Sequence, residues 1–304
     1  MMNSPQRKST LLRQLLDATG PIVVPCAYDC VSARVVELAG LPAVMHGGFN
    51  TAASLLGLPD VGTITQTEMI QAARHMAEAV EIPVIADVDD GFGKSLNVAR
   101  TTSEAIQARL AGMYMEDQLL PKRCPSLGGG GVVPAEEMVA KLHAARQICN
   151  QHDPDFVIIA RTHASLAIDL EEGLKRGELY AQEGADLIWV DLGYDESVRD
   201  ELKAIAERIG PHAQLVANMT ENVGRPLLTT DELYEMGFKL ITYPITLILA
   251  ATTAMTRVMR ELQEKGTIRD IADEIMPVSE FREIVRFADF LEFEKQLLQT
   301  DHSE

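Results

Sequence analysis

Eight times along the chain a short aliphatic or β-branched run follows a stretch of helical periodicity ending near Gly or Pro, and no other feature constrains the fold as much. The runs are Ile22–Cys26, Ala43–His46, Val84–Val88, Met113–Glu116, Phe156–Arg161, Leu187–Asp191, Gln214–Asn218 and Lys239–Tyr243. Several open alike: "ELAGLPAVMHG", "EAVEIPVIADVD", "AQEGADLIWVD" and "YEMGFKLITYP" each read as helix end, turn and buried strand. Runs that are nearly continuously apolar belong to strands covered on both faces, as happens when helices return the chain between parallel strands. Eight such units in 304 residues predict an α/β fold closed into a (β/α)8 barrel of the TIM type. The competitor, a doubly wound open sheet, lacks its glycine signature, because the first strand runs on as "VPCAYD" with no G-x-G-x-x-G. No linker or composition break divides the chain, so residues 1–304 are expected to form one domain. Helical stretches near Ala250–Glu264 and Glu280–Gln299 exceed what a barrel needs, and residues 265–304 are expected to form a helical extension contacting a neighbouring subunit.

Charge and composition limit the partners of such a barrel. The formal net charge of −18 repels phosphate backbones and no basic run offsets it, which argues against nucleic acid. An anionic small molecule would need local arginine or a metal ion to invert that field. The apolar stretch from Leu240 to Met255 is too short and too rich in threonine for a membrane span. No apolar core of signal-peptide length follows the polar opening Met1 to Thr10, so a cytoplasmic location is expected. Cys26, Cys30, Cys124 and Cys149 show neither C-x-x-C spacing nor a nearby histidine pair, which argues against a zinc site or a disulfide framework.

In such barrels the chemistry gathers at the C-terminal strand ends. Those ends carry Tyr28 and Asp29, Gly47 and Gly48, Asp87 with Asp89 and Asp90, Glu116 and Asp117, Arg161, Asp191, Asn218 and Tyr243. The run "IADVDDGFG" sets three carboxylates directly after an apolar strand, where unpaired negative charge is costly unless a cation sits among them. With Glu116 ending the next strand and Asp60 in "LLGLPDVG", the oxygen-only set suits Mg²⁺ with retained waters, with Mn²⁺ as a substitute. A solvated acidic loop that caps a helix is the plainer reading of the same run. Arg161 suits a bidentate clamp on a substrate carboxylate, or an ion pair with an acid such as Asp191, and the two can coexist. Cys124 lies in "LLPKRCPSLGGGG", a glycine-hinged segment with the build of an active-site lid, where Lys122 and Arg123 could lower the thiol pKa. Asn218 and Thr220 offer neutral hydrogen bonds, although Asn218 could equally cap a helix. His46 and His163 stand at strand ends and are candidates, whereas His75, His143 and His152 fall in helices or at their ends.

The order and spacing of "VVPCAYDCVSARV", "LGLPDVGTIT", "PVIADVDDGFG", "MEDQLLPKRC", "IIARTHA", "LVANMTE" and "TTDELYEMGF" resemble the isocitrate lyase/phosphoenolpyruvate mutase superfamily over nearly the whole chain. The resemblance implies a (β/α)8 barrel, often with its last helix exchanged between the subunits of a homotetramer, and Mg²⁺. It places Asp87, Asp89 and Glu116 at the metal, with Asp60 reaching the same site directly or through water. Gly47, Gly48 and Phe49 fall where family members hold a substrate carboxylate by backbone N–H groups, and Asn218, Thr220, Pro125 and Ser126 join them at the substrate. Cys124 matches the thiol that the lyases use as general acid, and Arg161, Asp191 and Tyr28 complete the catalytic set. The implied reaction is a Mg²⁺-dependent C–C cleavage of a small 2-hydroxy dicarboxylate, a substituted malate or a methylisocitrate-like acid, to a 2-oxo acid such as pyruvate plus a carboxylate.

Departures from that pattern narrow the substrate. Lyases usually read Lys-Arg-Cys-Gly-His and then Gly-Lys, whereas this chain reads Lys122-Arg123-Cys124-Pro125-Ser126 followed by Gly128 to Gly131. Asp191 stands where Glu is usual, His163 where an acid is usual, Phe92 where Tyr is common, and Leu249 where methylisocitrate lyases tend to carry Arg. Fewer cations imply fewer substrate carboxylates, which favours a dicarboxylate over a tricarboxylate. The alternatives are an oxaloacetate hydrolase or decarboxylase, a phosphonopyruvate-type enzyme acting on a P–C bond, and a homologue that binds a metabolite without turning it over.

Overall fold

The computed structural model describes residues 6–123, 130–193, 197–220 and 227–300. Nine strands run parallel in one curled sheet: β1 (Ile22–Val23), β2 (Cys26–Ala27), β3 (Val44–His46), β4 (Val84–Asp87), β5 (Gly112–Glu116), β6 (Val157–Thr162), β7 (Leu187–Val190), β8 (Gln214–Asn218) and β9 (Phe238–Thr242). The first expected strand, Ile22–Cys26, is instead two short pieces, because Pro25 has no N–H to give the ladder. The pieces serve different neighbours, β1 pairing with β9 and β2 with β3. Bonds from Val24 N to Ile241 O (2.8 Å) and from Cys26 N to Tyr243 O (3.0 Å) seal one side of this segment, and Met45 N to Pro25 O (3.0 Å) seals the other. The sheet therefore closes on itself as the expected barrel, with one of its eight staves broken.

The strands are buried almost throughout, yet alternate residues enter different cores. Met45, Ile85, Tyr114, Ile159, Trp189 and Leu240 pack inside the barrel. Val44, Ala86, Met113, Ile158, Ile188 and Ile241 pack under the surrounding helices. Leu12 and Leu16, from the opening helix Lys8–Asp17, join the inner core, and Leu16 O accepts a hydrogen bond from Gln214 at the start of β8. That helix stoppers the N-terminal end of the barrel. Capping boxes begin several outer helices: Thr65 with Glu68 starts Gln66–Ala79, and Thr229 with Glu232 starts Thr230–Glu235.

Contacts divide the chain into two compact units, residues 1–248, which hold the whole barrel, and residues 249–304. The second unit takes most of helix Thr246–Lys265, a 3-10 turn at Arg269–Glu274, and helices Val278–Ile284 and Phe287–Thr300. Phe281, Phe287, Phe290, Phe293 and Leu297 are exposed on it. Among the described residues no helix is long and apolar enough to cross a membrane.

Candidate active site

The parity that puts Ile85, Tyr114, Ile159 and Trp189 inside the barrel puts the next inward positions, Asp87, Glu116, Arg161 and Asp191, at its C-terminal mouth. They line one pocket together with Gly47, Gly48, Phe49, Asp60, Asn218 and Thr220, all expected there, and with Tyr114, Gln118, Lys122, Trp189 and Pro244, which were not. Tyr114 and Trp189 sit two residues before Glu116 and Asp191, so the period of two was the signal that could have found them. Cys124, Pro125 and Ser126 lie outside the described residues.

Three expectations need correction. Tyr28 does not line this pocket; its stave ends at Ala27, its N–H goes to Ser32 Oγ, and it faces a separate groove with Cys30, Thr51 and Leu55. Asp90 is not part of the acidic cluster, because its Oδ1 accepts from Phe92 N (2.9 Å) and its Oδ2 pairs with the buried Lys141 (3.4 Å). His46 has the outward parity and touches Thr51 Oγ1 (2.7 Å). Thr51 already donates to Gly47 O, so His46 Nε2 is the donor; burial pushes the ring's pKa down to about 4 against the pull of Asp87, which leaves it neutral near pH 7.

Two carboxylates and two cations form a closed ring in the wall of the pocket. Arg161 Nε and Nη2 each reach Asp191 Oδ2 at 2.9 Å, and Nη1 reaches Glu116 Oε2 at 3.2 Å. His163 joins the same two oxygens, with Nδ1 2.8 Å from Asp191 Oδ2 and Nε2 2.8 Å from Glu116 Oε2. Burial alone would discharge this imidazole, but Asp191 and Glu116 outweigh it and raise its pKa to about 9. Burial likewise opposes charge on Glu116, yet His163, Lys122 and Arg161 hold it well below the usual carboxylate range. Arg161 therefore makes the expected ion pair with Asp191 and also faces the pocket, with its guanidinium 4.3 Å above the Trp189 ring.

The acidic cluster adjoins the ring and shares Glu116 with it. Asp87 is held on both oxygens: Oδ2 accepts from Gly48 N (2.8 Å) and Tyr114 Oη (2.9 Å), and Oδ1 from Asp89 N (2.9 Å). The N–H of Gly48 is thus committed to Asp87 rather than open to a substrate. The loop that turns Asp89 inward is tightly wound, with Asp89 at φ 47° and Phe92 at φ 61°, the kind of left-handed backbone found where function fixes a conformation. Lys122, read from sequence as a neighbour of a thiol, is buried among these acids and pairs with Asp89 and with Asp60 Oδ1 (3.0 Å). Burial raises the pKa of Asp60 and, further, that of Asp89, with Lys122 opposing the shift in both.

These residues fit a hard divalent cation. Among the described residues, Glu116 Oε1 is buried without a hydrogen bond, and the oxygens Asp60 Oδ1 and Asp89 Oδ1 have Lys122 in ion-pair range but off the hydrogen-bond direction. Around the pocket, the carboxylates Asp60, Asp87, Asp89, Glu116 and Asp191 face the cations Lys122, Arg161 and His163.

Residues 12–263 match the phosphoenolpyruvate phosphomutase family. The petal death protein of Dianthus caryophyllus is 39% identical over 95% of this chain and 89% of its own length. The 2,3-dimethylmalate lyase of Eubacterium barkeri is 38% identical over 90% of this chain and 92% of its own. Among solved structures, oxaloacetate acetylhydrolase with the inhibitor 3,3-difluorooxalacetate superposes with a TM-score of 0.90 at 32% identity, covering 97% of this chain and 98% of that one. A phosphonopyruvate hydrolase complexed with oxalate and Mg++ gives a TM-score of 0.86 at 28% identity, covering 96% of this chain and 100% of that one. The chain is an enzyme that belongs to the phosphoenolpyruvate phosphomutase family.

Proposed function

We propose that the chain is a Mg²⁺-dependent lyase that splits the C2–C3 bond of a small 2-hydroxy dicarboxylate, a substituted malate, into a 2-oxo acid such as pyruvate and a monocarboxylate. The observation that carries this reading is the juxtaposition in one pocket of Arg161, fixed by Asp191 and Glu116, with Asp60, Asp87 and Glu116, while Asp89 joins them behind the pocket wall through Lys122. The 2,3-dimethylmalate lyase at 38% identity supports it.

Asp87, Asp89 and Glu116 would hold the metal, with Asp60 reaching it directly or through water; when bound, it supplies a Lewis acid for the substrate's C1 carboxylate and C2 oxygen. Arg161 binds and orients the same end of the substrate. Asn218 and Thr220, whose side chains share a hydrogen bond of 3.1 Å, offer neutral donors at the pocket wall. As C2–C3 breaks, the bonding pair moves to C3 beside the departing carboxylate. The C2 hydroxyl loses its proton to the acidic cluster and becomes the carbonyl of the 2-oxo acid. Cys124, by its match to the lyase thiol, gives the proton that C3 takes up. Lys122 offsets negative charge in the pocket through the reaction.

Purified protein with Mg²⁺ is expected to release a 2-oxo acid from one or more of a panel of substituted malates, read by a coupled dehydrogenase assay. No release from the panel or from 2-methylisocitrate sinks the reading. The oxaloacetate acetylhydrolase structure at TM-score 0.90 favours hydrolysis of oxaloacetate as the second reading. Oxalate formed from oxaloacetate, with the malates untouched, would establish it instead.

A further inference from the structure

Gln118 is buried, lines the pocket and has no part in the chemistry above. Its side-chain amide makes two hydrogen bonds to the backbone of a single residue, Arg123: Nε2 donates to Arg123 O (3.0 Å) and Oε1 accepts from Arg123 N (2.9 Å). This is the pattern of a strand neighbour, supplied by a side chain. The backbone of Gln118 is itself fixed, because it bridges to Val132, while Leu119 N reaches Gly131 O (2.9 Å) and Val133 N reaches Asp117 O (2.8 Å). The residue before Arg123 is Lys122, whose ammonium lies among Asp60 and Asp89. On its other side the chain of Lys122 presses against Gly62 at φ 74°, where an added Cβ would stand 3.2 Å from Lys122 N.

We propose that Gln118 is a positioning residue for Lys122: by clamping the backbone at Arg123 it holds the lysine ammonium in the pocket. A lysine has four rotatable carbons and a strong preference for water, so attraction to acids does not by itself keep it buried. Anchoring the next residue removes the backbone freedom by which it would swing out. The proposal rests on this pocket being the active site and does not depend on which substrate it takes.

The test is lysine footprinting with an acylating reagent on the full-length protein, read by mass spectrometry. The Lys122 side chain is 4% exposed, the Lys94 side chain 83% and the Lys141 side chain 2%, so Lys94 is the open reference and Lys141 the buried one. Gln118→Met, which keeps the length and loses both hydrogen bonds, is expected to raise the labelling rate of Lys122 at least tenfold, on the order of the exposure it gains, and to leave Lys141 unchanged. Lys122 labelled as slowly in the variant as in the wild type overturns the proposal, and so does wild-type Lys122 labelled as fast as Lys94. Should Lys141 also accelerate, the variant has loosened the barrel, and hydrogen exchange of the Arg123 amide in the wild type decides: protection supports the clamp and exchange at the intrinsic rate overturns it. A mutant cycle read by calorimetric binding of oxalate with Mg²⁺ separates positioning from general support. Gln118→Met is expected to weaken binding alone and to add nothing in a Lys122→Met background, whereas additive losses count against the proposal. Failure of every malate in the substrate panel would leave the footprint result standing.

Discussion

At the scale of single residues, the placement of Asp87 depends on a neighbour with no side chain. A Cβ at Gly48 would lie 2.8 Å from Asp87 Oδ2 and 3.2 Å from Met69 Cε, so Gly48→Ala must push the carboxylate aside. Loss of such support around a metal ligand costs roughly 10- to 100-fold in metal affinity. Mn²⁺ titration followed by electron paramagnetic resonance is expected to show that loss in Gly48→Ala, and an unchanged affinity would refute the role given to Asp87. His46 carries a prediction of opposite kind. Its folded pKa of about 4 lies below the unfolded value of 6.5, so its contribution to stability is complete above pH 6.5 and is lost as pH falls through 4. The difference corresponds to about 3 kcal/mol. Urea melts between pH 6.5 and 4 are expected to show a shallower loss of stability in His46→Asn than in the wild type. Asp87, Glu116, Arg161 and Asp191 were legible in the sequence because each ends an apolar run, whereas Asp60 lies in a loop and was placed at the metal by the resemblance. Lys122 and Gln118 were not legible, because their positions follow the path of a loop that no local pattern announces.

At the scale of elements, the eight apolar runs gave the strands, and the order of the barrel follows from their spacing. What stayed hidden was the inward and outward sorting within each strand. With both faces apolar, no alternation shows within the runs themselves, and Tyr114 and Trp189 read as filler unless one counts back by two from Glu116 and Asp191. The break at Pro25 was visible as a residue but not as a division of pairing between β9 and β3. Gly112 is another residue whose meaning is tertiary. A Cβ there would meet Val157 O at 2.7 Å and Val157 Cβ at 2.9 Å, between strands whose spacing is set by their hydrogen bonds. Gly112→Ala is expected to destabilise the protein by about 3 kcal/mol, at the upper end for overpacking. A thermal melt within 1 °C of the wild type would show that β5 and β6 can part without cost.

At the scale of the whole molecule, the unit of residues 249–304 exposes several aromatic and aliphatic side chains, Phe281, Phe287, Phe290, Phe293 and Leu297 among them. Phe290 is 67% exposed and Phe293 58%. Such a surface fits the homotetramer that the family resemblance implies, with these helices at a subunit contact. Light scattering on a sizing column is expected to give a species larger than a monomer, and Phe290→Lys with Phe293→Lys to give a smaller one with the barrel still folded. A monomeric wild type at micromolar concentration would remove that role from these helices. The barrel interior also sets how the enzyme can be observed. The chain has one tryptophan, and it lies in the pocket with Arg161 over its ring and Tyr114 5.3 Å away. Indole emission responds to charge at the ring face and to water beside it, so the arrival of a cation or carboxylate in the pocket is reported by the protein's own fluorescence. Binding, turnover and release can then be timed in a stopped-flow instrument without a label, and no second tryptophan dilutes the signal.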